Sequence, residues 1–155
     1  MLSFITNLYK SSKATILFLK IWDAIASDRI EEAEEYFVSI NKIIPELCAE
    51  HQIMEAYIKF RASKYGEAKE LFDIAWKKIE LDARLNSDEK LYLKGYILGP
   101  SQLTMRYLKY KNYSYPDYRN IRKFDLRNID LRKVKKKWKI YFPIMPHPDW
   151  DKYGV

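Results

Sequence analysis

Two stretches of the chain, 35 positions apart, carry the same order of large and small apolar side chains. Trp22, Ile25, Ile30, Ala33, Phe37 and Ile40 fall in register with Tyr57, Phe60, Tyr65, Ala68, Phe72 and Ala75. A duplicated unit of this length that reads as two short helices cannot bury its apolar face alone. It must stack on its neighbours, and stacked hairpins offer a concave surface for partners rather than a pocket for chemistry. Helix breakers are placed to allow this: of six prolines only Pro45 precedes Pro100, and the whole chain has four glycines. The first ninety-odd residues therefore contain almost nothing that would interrupt helices.

Phe4, Leu8, Ile16, Leu19, Trp22 and Ile25 recur at helical intervals, and the Ser11-Ser12 pair is placed to bend or end that first helix. Ser27 or Asp28 is expected to cap a second helix, with Glu31, Glu32, Glu34 and Glu35 at its positive end and Ile30, Ala33, Phe37, Ile40 and Ile44 facing inward. Pro45 ends it. A third helix from about Glu46 to Ala62 would bury Leu47, Ile53, Ala56, Tyr57 and Phe60, and would close in the turn Ser63-Lys64-Tyr65-Gly66. The fourth, from Glu67 to about Leu85, carries Ala68, Leu71, Phe72, Ala75, Trp76 and Ile79 on one face. Alanines at 33 and 68 suit helices packed at about 8–10 Å, where the closest approach admits nothing larger. Ser87 is expected to cap a fifth helix running to Leu98, where Gly99-Pro100-Ser101 stops it and caps a sixth.

In Ala68, Phe72 and Ala75, and in Ala33 and Phe37 with Ile40 in the last place, residues 15–85 resemble the tetratricopeptide repeat family. The resemblance implies an all-α fold of stacked antiparallel helical hairpins, a right-handed solenoid or bundle, whose work is to bind other proteins. Residues 1–106 read as that repeat domain, and residues 107–155 as a basic, aromatic-rich extension of short helix and extended chain packed on it.

Charge divides the chain at about the same place. Residues 1–90 hold 13 basic against 16 acidic residues, net −3, and residues 91–155 hold 15 against 5, net +10. Such a split implies either a basic surface for an anionic partner or a tail complementary to the chain's own body. Between Tyr107 and Tyr118 aromatic and polar residues alternate, which suits extended chain on a surface. Further on, Asp130 is placed to cap a basic helix that buries Leu131, Val134, Trp138 and Tyr141 or Phe142, and Pro143 ends that helix. The residues expected to meet a partner are Arg119, Arg122, Lys123, Arg127, Arg132, Lys133, Lys135, Lys136, Lys137 and Lys139, with Tyr110 and Tyr113.

Catalytic machinery is not legible. A nucleophile needs a base and an orienting group, and the nearest pair, Cys48 and His51, reads as a small core residue with a neighbour one helical turn on. Two separate histidines, His51 and His147, leave no zinc ligand set, so neither metal nor cofactor is expected. One cysteine permits no internal disulfide and fits a reducing, cytoplasmic setting. The apolar run Ala14 to Trp22 is interrupted by Lys20 and is too short to span a bilayer, so it reads as a buried helix. The expectation is a non-enzymatic binder of another protein, of the immunity, antitoxin or chaperone type, masking a toxin or a secreted protein. The alternative is RNA or single-stranded DNA on the basic, tyrosine-rich half.

Overall fold

The computed structural model describes residues 2–44, 48–108 and 129–142, and every regular element among them is a helix. These are α1 (Leu2–Ala26), α2 (Ile30–Ile43), α3 (Ala49–Arg61), α4 (Tyr65–Leu81), α5 (Ser87–Leu108) and α6 (Lys136–Tyr141). They fall into two compact units, Met1–Leu47 and Cys48–Val155.

In the first unit α1 and α2 pack as a hairpin. Its core is Ala14, Phe18, Ile21, Ala24 and Ile25 from α1 with Ala33, Phe37 and Ile40 from α2. The serine pair does not break α1, which is continuous, and the Ser11 carbonyl also accepts from the Thr15 hydroxyl at 3.0 Å. Serine costs a helix less than about 0.7 kcal/mol per residue, too little to end one by itself. Asp28 has φ 59°, and the turn closes by two main-chain bonds, Asp28 N–H to Ile25 C=O (3.2 Å) and Arg29 N–H to Ala24 C=O (2.8 Å). That is the closure of a helix ending in a left-handed residue, so Ser27 and Asp28 finish α1 and do not cap α2. The N-cap of α2 is Arg29, whose guanidinium pairs with Asp23 and Glu32 instead. At the far end Ile44 is extended, φ −118° and ψ 100°, as a residue before proline is driven to be.

In the second unit the same turn recurs 35 residues on. Ser63 has φ 61°, Ser63 N–H donates to Phe60 C=O (3.0 Å) and Lys64 N–H to Lys59 C=O (2.9 Å). The buried positions recur with it: Ala14 with Ala49, Phe18 with Ile53, Ile21 with Ala56, Ile25 with Phe60, Ala33 with Ala68, Phe37 with Phe72 and Ile40 with Ala75. Across the α3–α4 hairpin Tyr57 meets Phe72 edge to face at 5.8 Å. Helix α4 starts at Tyr65, two residues before the expected Glu67, and takes Gly66 into its first turn. It ends at Leu81, short of Leu85.

Helix α5 packs on α4 and α3. It opens at Asn86, not Ser87: Asn86 Oδ1 accepts the Glu89 N–H at 2.9 Å and Glu89 Oε2 accepts the Asn86 N–H at 3.1 Å. This reciprocal box satisfies two orphan donors that a serine one residue later could not reach together. At Gly99, Pro100 and Ser101, where the sequence points to a stop and a new helix, α5 instead continues unbroken to Leu108. Residue 100 has no N–H, which leaves the Tyr96 carbonyl without its usual helical donor. The Tyr57 hydroxyl donates to that oxygen at 2.8 Å. Tertiary structure thus supplies the hydrogen bond that proline removes.

Candidate functional site: the docked basic segment and the start of α3

Residues 129–142 lie against the first turns of α5. Asp130 caps a turn rather than a helix. Its Oδ1 accepts the Arg132 N–H at 3.0 Å, its carbonyl accepts the Lys133 N–H at 2.9 Å, and α6 begins only at Lys136. Four polar groups on α5 and its cap hold this segment. Asp88 Oδ1 accepts the Asp130 N–H (2.8 Å), Glu89 Oε1 accepts the Lys135 N–H (3.0 Å), Asn86 Nδ2 donates to the Lys133 carbonyl (2.9 Å), and the Tyr92 hydroxyl donates to the Phe142 carbonyl. Glu89 is fully buried. Its two oxygens cap α5 on one side and receive the segment on the other.

The apolar spacing 134, 138, 142 puts Val134, Trp138 and Phe142 on one side, all buried, and the Phe142 ring lies 5.0 Å from that of Tyr96. Leu131, expected to join them, sits in the turn before α6, off that stripe, and is exposed, while Tyr141 is half-buried. The six described basic residues, Arg132, Lys133, Lys135, Lys136, Lys137 and Lys139, are all exposed, but they are not equivalent. Arg132 is forked onto Asp130, whose carboxyl it holds below the ordinary range. Lys135 donates to the Arg84 carbonyl at 3.1 Å and stands 3.6 Å from Glu89. Lys137 lies over the Trp138 ring at 4.2 Å. Lys133, Lys136 and Lys139 make no ion pair within 4.0 Å among the described residues, although Lys133 and Lys139 add to the field that holds Asp130 down. Arg119, Arg122, Lys123, Arg127, Tyr110 and Tyr113 lie outside the described residues, as does His147.

A second cluster forms at the start of α3, where the sequence places two residues on successive turns of one helix. Cys48 instead precedes the helix as its N-cap. Its N–H donates to His51 Nδ1 at 3.1 Å, and its sulfur accepts the His51 N–H. The Cys48 sulfur, a Glu50 carboxylate oxygen and a His51 ring nitrogen all lie within 4.8 Å of one another. His51 is buried, and desolvation, aided by Lys78, pushes its pKa down to about 4. Burial pushes the Glu50 carboxyl up, against the pull of Arg84 and Lys137. Among the described residues no side chain hydrogen-bonds or ion-pairs with Glu50; its own amide is its donor. Arg84 is forked onto Asp82 (2.9 and 2.6 Å), and its guanidinium is raised chiefly by Asp82 and then by Cys48. The histidine is therefore not isolated in space, and the sequence signal that points there is the spacing Cys48, Glu50, His51 itself.

Among the described residues no helix is long and apolar enough to cross a membrane. No protein-family model, curated protein or solved structure matches the chain.

Proposed function

We propose that the chain is a non-enzymatic protein-binding module that masks an acidic surface of another protein, in the manner of an immunity, antitoxin or chaperone protein. The observation that carries this reading is the docked basic segment. Its apolar side is spent on Val134, Trp138 and Phe142, so its lysines face outward, and Lys133, Lys136 and Lys139 make no close ion pair among the described residues. Outward lysines on a fixed segment steer association with an acidic partner and help fix its register. The tetratricopeptide-like solenoid and the protein-binding role that goes with it are supported by the 35-residue recurrence of the turn and of the buried small residues.

Burial of Trp138 favours a protein partner over nucleic acid. An indole that is 1% exposed offers no face on which a base can stack. The test compares the chain with a Lys133→Glu/Lys136→Glu/Lys139→Glu variant, each co-expressed with the product of a neighbouring toxin-like or secreted-protein gene. Co-purification with an acidic partner, lost in the variant and weakened by salt, supports the reading. A partner retained equally by both proteins, or binding only to mixed-sequence oligonucleotides at low salt, overturns it.

A further inference from the structure

We infer that Cys48, Glu50 and His51 form a binding site for one zinc-class divalent ion at the start of α3. Three chemically different donors, a thiol sulfur, a carboxylate oxygen and an imidazole nitrogen, converge within 4.8 Å. Around a tetrahedral ion the donor atoms stand roughly 3.5 Å apart, so side-chain adjustments of about 1 Å close the set. The donors are the ones zinc takes, and calcium or magnesium, which want oxygen alone, are disfavoured.

Glu50 is the independent observation. The residue is 8% exposed, its carboxylate lies within 4.8 Å of the sulfur and the ring, and it accepts from its own amide, with no second side chain bonded to it among the described residues. Burial disfavours the charged form of this carboxyl, and a cation between it and the thiolate offsets that cost. A thiolate and a carboxylate together carry two negative charges. They cancel a divalent ion, so the filled site adds no net charge despite the neighbouring Arg84 and Lys137. The Arg84 guanidinium, interacting with the Cys48 sulfur and forked onto Asp82, serves as an outer support for the thiolate ligand.

Binding has a structural consequence. His51 Nδ1 accepts the Cys48 amide proton, so the neutral ring carries its own proton on Nε2. A metal on Nδ1 displaces the amide, and a metal on Nε2 moves the ring proton to Nδ1; either way the capping bond opens. The thiol proton leaves to solvent. Three protein donors also leave one tetrahedral position for water or a partner's side chain.

The test uses the full chain, reduced and stripped of metal by a chelator, titrated with Co2+. One equivalent is expected to give a thiolate-to-cobalt charge-transfer band in the near ultraviolet, bleached by Zn2+, with faster hydrogen exchange at the Cys48 amide. Cys48→Ser abolishes the band, and Glu50→Gln and His51→Gln each weaken binding by about tenfold or more. Glu50→Gln keeps size and shape, so it decides between site and no site if Cys48→Ser fails to fold. Absence of the band in the natural sequence, or a band whose affinity neither Glu50→Gln nor His51→Gln changes, overturns the site.

Discussion

The Tyr57 hydroxyl donates to the Tyr96 carbonyl at 2.8 Å, and that carbonyl is the one Pro100 leaves without a helical donor. Tyr57 is buried, and desolvation raises its phenol, so the group stays a neutral donor at any ordinary pH. Tyr57→Phe is expected to destabilise the second unit by about 0.5–1.5 kcal/mol, because a part-buried hydrogen bond is lost. In a Pro100→Ala background the restored N–H takes over, and the same change should cost clearly less. Urea unfolding of the four proteins of this cycle measures the coupling, and equal costs in both backgrounds would refute the account.

The left-handed turn residues give a prediction of opposite sign. Ser63 sits at φ 61° with a side chain that this region disfavours, and Ser63→Gly should raise stability by about 0.5–1 kcal/mol. Asp28→Gly, at φ 59°, should gain less, since aspartate tolerates the left-handed region better. Unfolding midpoints check both.

Ala33 and Ala68 are each fully buried. Enlarging either to leucine forces its hairpin apart and should cost about 1–3 kcal/mol, read as a lowered thermal midpoint by circular dichroism. Enlarging Ala26, which is exposed at the end of α1, should change little.

His51 makes stability depend on pH. Its folded value of about 4 lies below the ordinary 6.5, so on acidification the unfolded chain takes up the proton first. The contribution is present in full above about pH 6.5 and is lost as pH falls toward 4, a span worth at most about 3 kcal/mol. Glu50 and Glu55, both raised by burial, act the other way, since their folded forms take up protons before the unfolded chain does. In chelator, His51→Gln should flatten the fall between pH 7 and 4.5, and Glu50→Gln should steepen it. An unchanged slope in His51→Gln would contradict the burial of the neutral ring.

Glu89 ties the basic segment to α5, so Glu89→Ala should release residues 129–142. The expected readout is faster tryptic cleavage after Lys135, Lys136 and Lys137, with a loss of about 2 kcal/mol from the two amides left unpaired. Cleavage at the natural rate would show that Val134, Trp138 and Phe142 hold the segment unaided.

The repeat is legible in the sequence because its information is periodic: the Ala33, Phe37 and Ile40 series and its copy at Ala68, Phe72 and Ala75 name the buried faces, and the structure buries all six. Helix ends are less legible, for a common reason. Ser27, Asp28 and Ser87 look like caps by residue type, but the closure of α1 is made by main-chain atoms, and Asn86 wins at α5 because Glu89 stands three residues on. Gly99-Pro100 looks like a stop because the donor that replaces the missing N–H is Tyr57, 39 residues before the carbonyl it serves. At the basic segment, composition identifies the lysines, but only the fold separates Lys135, held at Glu89, from Lys133, Lys136 and Lys139. The cluster at Cys48 is hidden because its members read as one helix, whereas Cys48 stands outside α3 and turns its sulfur back toward His51.

The two matching turns close through backbone atoms and ask of their side chains only tolerance of one left-handed residue, at Asp28 and at Ser63. The outward positions beside them are therefore free to diverge. One copy places an Asp23–Arg29–Glu32 charge cluster there; in the other the counterpart of Asp23 is the buried Ile58, and Glu67, the counterpart of Glu32, pairs with Lys59 at 3.7 Å. Substitution at the exposed rim positions therefore resets a hairpin's surface charge while leaving its bend intact.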